Sequence, residues 1–123
     1  MLRTLVLSSA LAVALAPAAL RAQDAAAGGT VFKQRCAMCH STTPDGRAGV
    51  GPNLNGVSKR AAGATTFAYS AALKRSNIKW DAKTLDTFLT APSKMVPGTR
   101  MVVAIPDAKQ RANVVAYLLS LKN

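Results

Sequence analysis

Five consecutive residues, Cys36-Ala37-Met38-Cys39-His40, constrain what this chain can become more than anything else in it. They form C-x-x-C-H, the attachment signature of a c-type haem. The spacing has a physical basis. On a helical backbone, positions three apart lie on one side, so both thiols reach the two vinyl groups of one porphyrin edge. The next residue, His40, then points its imidazole at the iron. Thioether bonds do not dissociate, so a weakly enclosed haem stays bound. Three other readings fit less well. A redox C-x-x-C needs a βαβ context that the chain lacks. A zinc site needs a fourth ligand, and two Cys with one His supply no obvious one. A disulfide at this spacing closes a tiny loop and stabilises little.

His40 is the only His in the protein, so a second His cannot ligate the iron. The sixth position is left to Met, Lys, water or nothing. Met1 lies in the leader and Met38 inside the attachment motif, which leaves Met95 and Met101. The residues alone do not choose between them.

The chain begins with Met1-Leu2-Arg3, an uncharged run from Thr4 to Ala16, and Pro17 to Ala22. A short positive region, an apolar region and a small-residue tail make a secretory signal peptide. The apolar run is short of the roughly 20 residues a membrane span needs. Cleavage after Ala22 is expected, with Leu20 an imperfect residue three back; an uncleaved anchor is the alternative. The signal peptide is thus residues 1–22, and one domain occupies residues 23–123. So short a domain benefits from a stabilising cofactor. The formal charge of +11 includes Arg3 and Arg21, so removing residues 1–22 leaves +9, and every acid is an Asp. That surplus implies an acidic partner surface or a membrane face. Export and the dispersed Lys and Arg argue against nucleic acid.

The remaining pattern predicts an all-α chain of three or more helices joined by long loops. Thr30 to His40 reads as a helix with Val31, Phe32, Arg35, Cys36, Cys39 and His40 on one face. Ser41 to Asn55 is rich in Pro and Gly and reads as a loop. A short helix is expected around Tyr69 to Arg75. Asp81 N-caps another through Thr90, which Ala91-Pro92 stops. Ser93 to Ile105 reads as a second loop. Pro106-Asp107 caps a last helix to about Leu121, with Gln110 at the capping-box position and Val114, Tyr117, Leu118 and Leu121 on an apolar face. Loops this long in a compact domain need an organiser, and a large buried cofactor is one.

With these motifs in order, the sequence resembles the class I cytochromes c, in the branch of mitochondrial cytochrome c and related bacterial soluble carriers. Gly28-x-x-x-Phe32 precedes the attachment motif, and Gly51-Pro52-Asn53-Leu54 follows it. Then come Phe67-Ala68-Tyr69-Ser70, Ile78-Lys79-Trp80, Pro97-Gly98-Thr99-Arg100-Met101, and Ala116-Tyr117-Leu118 in the final helix. The resemblance implies a small cytochrome c fold wrapped around one covalent haem c with its iron. It implies Met101 as the sixth ligand, since it stands where the family's P-G-T-K-M supplies a thioether, and leaves Met95 to packing. A His40/Met101 pair means low-spin iron with a raised reduction potential. It places the Pro52 carbonyl on the other ring N–H of His40, Arg60, Tyr69 and Trp80 around the haem propionates, and Thr99 near the haem and ligand loop. It assigns Gly28, Phe32, Val114 and Tyr117 to a crossing of the first and last helices.

Three departures stand out. Phe88 replaces a Tyr common in relatives, Leu73 replaces an Asn of the same polar network, and Val103 replaces a Phe at the haem edge. The Met side of the haem is therefore expected to be drier, with the sulfur held mainly by packing.

The function implied is a periplasmic electron carrier rather than an enzyme, with no small-molecule substrate, acting as a monomer on redox complexes of the membrane or periplasm. Lys33, Arg35, Lys59, Arg60, Lys74, Arg75, Lys79, Lys94 and Arg100 flank the expected haem-contacting segments and suit transient, salt-sensitive docking on acidic surfaces. Two alternatives are the cytochrome subunit of a periplasmic dehydrogenase and an open-site haem enzyme or gas binder. A sixth ligand from Met101 argues against the last.

Overall fold

The structure, a computed structural model, describes residues 18–122. The predicted signal peptide lies outside the described residues as far as residue 17. Five helices follow in order: α1 (Ala18–Arg35), α2 (Ala71–Lys74), α3 (Ala82–Thr90), α4 (Pro92–Met95) and α5 (Ala108–Ser120). A single 3-10 turn, Val57–Lys59, lies between α1 and α2. There is no strand among the described residues, only one antiparallel bridge between Ala61 and Lys79. The all-α class expected from the sequence is what the chain adopts.

Two of the expected helix starts rest on the caps read from the sequence. The Asp81 carboxylate accepts the Thr84 N–H at 2.8 Å, and the Asp81 N–H donates to the Thr84 hydroxyl at 2.9 Å. That is a reciprocal capping box with Thr in the place of the usual Glu or Gln. Asp107 accepts the Gln110 N–H at 2.8 Å and so caps α5. Leu85, Phe88 and Leu89 on α3 recur at helical spacing and are buried. On α5 the buried positions are Val114, Val115 and Leu118, with Tyr117 and Leu121 half-buried beside them.

Three boundaries differ from the sequence reading, the first being the start of α1 at Ala18 rather than at Thr30. The first helix ends at Arg35 and does not run through the attachment motif. The Phe32 carbonyl accepts both the Cys36 N–H at 2.8 Å and the Ala37 N–H at 2.9 Å, and the ladder slips by one residue. Pro92 ends α3, as expected, but also opens α4 at its first position, where its missing N–H costs nothing. The segment read as a loop from Ser93 thus begins inside a helix.

The crossing of α1 and α5 dominates the packing. At Gly28 an added Cβ would lie 1.9 Å from the Asn113 carbonyl oxygen and 2.8 Å from the Tyr117 Cβ. Only a residue without a side chain lets the two backbones approach this closely. One turn on, the Phe32 and Tyr117 rings meet at 5.2 Å and 46°. Val114 is 0% exposed and Ile105 1%. They anchor a core that also takes in Leu85, Phe88, Leu89 and Trp80.

A pair of variants checks the crossing. In a helix interior Gly→Ala ordinarily stabilises by about 1 kcal/mol. Gly29, whose added Cβ would meet only the Tyr117 ring at 3.4 Å, should follow that rule or be neutral. Gly28→Ala should reverse the sign and cost about 1–3 kcal/mol or more, since the obstacle is backbone. Urea denaturation of both variants reads the difference.

Candidate haem site

The attachment motif is a turn rather than a helix. The Cys39 N–H and the His40 N–H both donate to the Cys36 carbonyl, at 3.0 and 2.9 Å. The two cysteines are free thiols, Cys36 half-buried and Cys39 exposed. Burial pushes the Cys36 thiol up. Nearby Arg35 pulls it down by less, and Cys39 adds a smaller upward push.

His40 is held from behind. Its Nδ1 lies 2.7 Å from the Pro52 carbonyl oxygen. A carbonyl can only accept, so Nδ1 carries the proton and Nε2 keeps its lone pair. Burial lowers the imidazole from its ordinary value, with the Pro52 bond opposing this in part. Both facts favour a neutral ring with one nitrogen ready for a metal.

The space for that ring comes from Gly51. An added Cβ there would stand 2.6 Å from His40 Cε1 and 2.9 Å from Nδ1. The Gly51 N–H also donates to the Cys39 carbonyl at 2.8 Å, which ties the loop back to the motif. Asn53 fixes the rest of this loop. Its buried amide donates to the Thr43 carbonyl at 3.0 Å and the Arg47 carbonyl at 3.1 Å, while its oxygen accepts the Asn55 N–H at 2.8 Å. Leu54 N–H reaches the Ser41 carbonyl at 2.8 Å. Gly51 and Asn53 were visible in the sequence as part of a motif. Their positions show what each does.

Of the residues expected at the propionates, Arg60 and Tyr69 share one region. The Arg60 guanidinium donates to the Asn53 and Asn55 carbonyls. It lines a cavity of about 210 Å³ together with Asn53, Asn55, Thr65 and Thr66. The Thr65 hydroxyl is 2.6 Å from the Tyr69 hydroxyl. Trp80 is buried, donates its backbone N–H to the Arg60 carbonyl at 3.2 Å, and packs edge-on against Phe88 at 5.2 Å. Met95 and Met101 are both half-buried against the core. Thr99 is half-buried and its N–H closes a turn onto the Val96 carbonyl at 3.0 Å. Pro97 at the second position and Gly98 at φ 93° at the third give that turn a type II pattern. Of the three departures, Phe88 is buried, Leu73 is half-buried and Val103 is exposed.

These residues fit a covalently attached porphyrin. The two thiols are unbridged, an imidazole with its Nδ1 on a carbonyl follows them, and a guanidinium and threonine side chains, donors of the kind a carboxylate needs, line one cavity. A bare metal ion fits less well, since no group of three or more His, Cys, Asp or Glu among the described residues could hold one.

Comparison with known proteins agrees. A family model described as cytochrome c matches residues 25–122. The chain is 48% identical over 103 residues to a cytochrome c2 of Rhodoblastus acidophilus, covering 82% of this chain and 95% of that protein. It is 46% identical over 99 residues to a cytochrome c of Tetrahymena pyriformis, covering 80% and 89%. Among solved structures, the cytochrome cH of Methylobacterium extorquens superposes with a TM-score of 0.73 at 42% identity, covering 79% of this chain and 98% of that one.

Gly51→Ala tests the support of His40. A Cβ within 3 Å of two imidazole atoms forces the ring off the Pro52 carbonyl, at a cost of about 1–3 kcal/mol. The expected outcome is a lower yield of haem-loaded protein and a shifted reduction potential in what is recovered. An unchanged yield and potential would show that the ring moves freely.

Proposed function

From its membership of the cytochrome c family, which makes this chain an electron carrier with one covalent haem c, we propose that it is a periplasmic one-electron shuttle with its iron held between His40 and Met101. The haem iron supplies the one-electron couple. The chain attaches and orients it, and shields it from water. The observation that carries the reading is the environment of His40: a lone, neutral imidazole beside two free thiols, with Nδ1 occupied by Pro52. Such a ring would coordinate through Nε2, and the bond to Pro52 holds it in place.

Met101 is favoured over Met95 by its place in Pro97-Gly98-Thr99-Arg100-Met101. One imidazole and one thioether would leave the iron no open position for a substrate, which suits electron transfer with little rearrangement. Arg60 and Tyr69 take the propionates in this reading, with Trp80 alongside. The support is that Arg60 and Thr65 line one cavity, with the Tyr69 hydroxyl 2.6 Å from that of Thr65. Thr99 closes the turn that presents the sulfur.

Residues 1–22 are a cleaved signal peptide in this reading and 23–123 the carrier. In bacteria c-type haem is attached outside the cytoplasm, which fits export. No helix among the described residues is long and apolar enough to cross a membrane. The partners are acidic faces of redox complexes. All the cations named for docking are exposed except Arg60, which is half-buried.

Two measurements decide these points. Oxidised, thioether-ligated haem has a weak long-wavelength absorption band. Met101→Ala should abolish it and lower the potential, whereas Met95→Ala should keep it; the reverse pattern would move the ligand to Met95. Electron transfer to an acidic partner should slow steeply from low to high salt, because exposed charges more than about 8–10 Å apart are screened at physiological ionic strength. A rate independent of salt would remove the electrostatic docking reading.

A further inference from the structure

The segment that follows Met101 is tied down by hydrogen bonds that its backbone carbonyls accept from guanidinium groups. Three successive carbonyls, Ala104, Ile105 and Pro106, each accept one. Arg35 at the end of α1 donates to Ala104 at 3.2 Å. Arg111 on α5 donates to Ile105 at 3.0 Å and to Pro106 at 3.2 Å. The Ile105 N–H donates to the Leu89 carbonyl of α3 at 2.8 Å, and the Ile105 side chain is fully buried.

Arg111 differs from the other arginines in its setting. Its side chain is 14% exposed, and its Nε donates at 2.7 Å to the Asp86 carboxylate of α3, whose side chain is 47% exposed. The other ion pair among the described residues, Asp45 with Arg47, is exposed and longer at 3.6 Å. A planar guanidinium with five donors can satisfy a carboxylate and two carbonyls at once, which an ammonium cannot do with the same geometry. Asp86 therefore sets the plane of the Arg111 fork, and the fork pins the backbone four and five residues beyond Met101.

We propose that Arg111, oriented by Asp86, is a positioning residue for the sixth ligand: it holds shut the segment that carries Met101. This deepens the proposed function and rests on its assignment of Met101 to the iron. The loop is tied to the rest of the molecule on both sides of Met101. Upstream, Arg100 donates to the Ala68 carbonyl at 2.8 Å. Downstream, Arg111 closes the segment. The exposed Val102 and Val103 lie between the two anchors.

The test uses the haem-loaded protein, wild type and variants, with imidazole as the probe. Imidazole binds oxidised iron only when Met101 leaves, so its association rate reads opening of the loop. Asp86→Ala and Arg111→Lys should each raise that rate by about tenfold or more, the size expected for losing a charge-assisted hydrogen bond. Asp86→Glu, which keeps the charge, should restore most of the difference. Val115→Ala, a core truncation with a similar loss of urea stability, should leave the rate within about twofold of wild type, since its cost is global. Wild-type rates in the Asp86 and Arg111 variants, or an equal increase in Val115→Ala, would overturn the proposal. A wild type without the long-wavelength band would instead remove the Met101 reading on which it stands.

Discussion

The hydrogen bond from His40 to the Pro52 carbonyl sets the requirements that the first half of the chain meets. A ring between a protein carbonyl and an iron must be neutral, of one tautomer, and fixed in plane. The carbonyl settles the tautomer and burial favours neutrality. Pro52 must then arrive, twelve residues later, at the back of the ring. Gly51 allows this because its missing Cβ is the volume the imidazole fills, and Asn53 makes it repeatable by bonding across the loop to Thr43 and Arg47. One side chain on the loop satisfies backbone groups that have no helix or sheet to pair with. The loop is irregular in dihedral angles but not in its hydrogen bonding.

The second half meets a different demand: a packed body that fixes the segment on either side of Met101. Gly28 brings α1 within backbone contact of α5, so the helix that ends beside Cys36 and the helix that carries Arg111 form one body. Ile105 joins that body to α3 through its buried side chain and its bond to Leu89. The attachment turn and the end of the ligand loop are thus fixed to the same core. In the proposed reading both ligands are tied to one packed core, an arrangement that suits electron transfer with little reorganisation.

Much of this was legible in the sequence where chemistry leaves a signature. Asp81 and Asp107 cap the helices they were read to cap, because an N-cap is a local bond between residues three apart. The crossing of Gly28 with Tyr117 followed from a resemblance that covers nearly the whole domain. What was not legible is decided over longer range. The first helix stops at Arg35 because one carbonyl takes two donors, which no propensity records. Pro92 reads as a stop, yet the same ring geometry makes it a first helical residue. Arg111 sits in the sequence among ordinary surface charges. Its role appears only when Asp86, 25 residues away, is found beside it.

The contrast between Arg111 and the other cations bears on how a strongly basic carrier can be both rigid and sticky. Lys33, Lys59, Lys74, Arg75, Lys79 and Lys94 are exposed, and their attraction to a partner is weakened by salt. Arg111 is shielded, with a carboxylate and two carbonyls around it, so salt acts on it far less. With only five acids in the chain, and Asp81 and Asp107 already engaged as helix caps, the use of Asp86 on an internal Arg is a costly allocation. It makes sense if closing the ligand loop must not depend on what the surface is docked against. On the proposed readings, surface charge would govern how fast partners meet, and the Asp86–Arg111 pair would govern what the iron presents when they do.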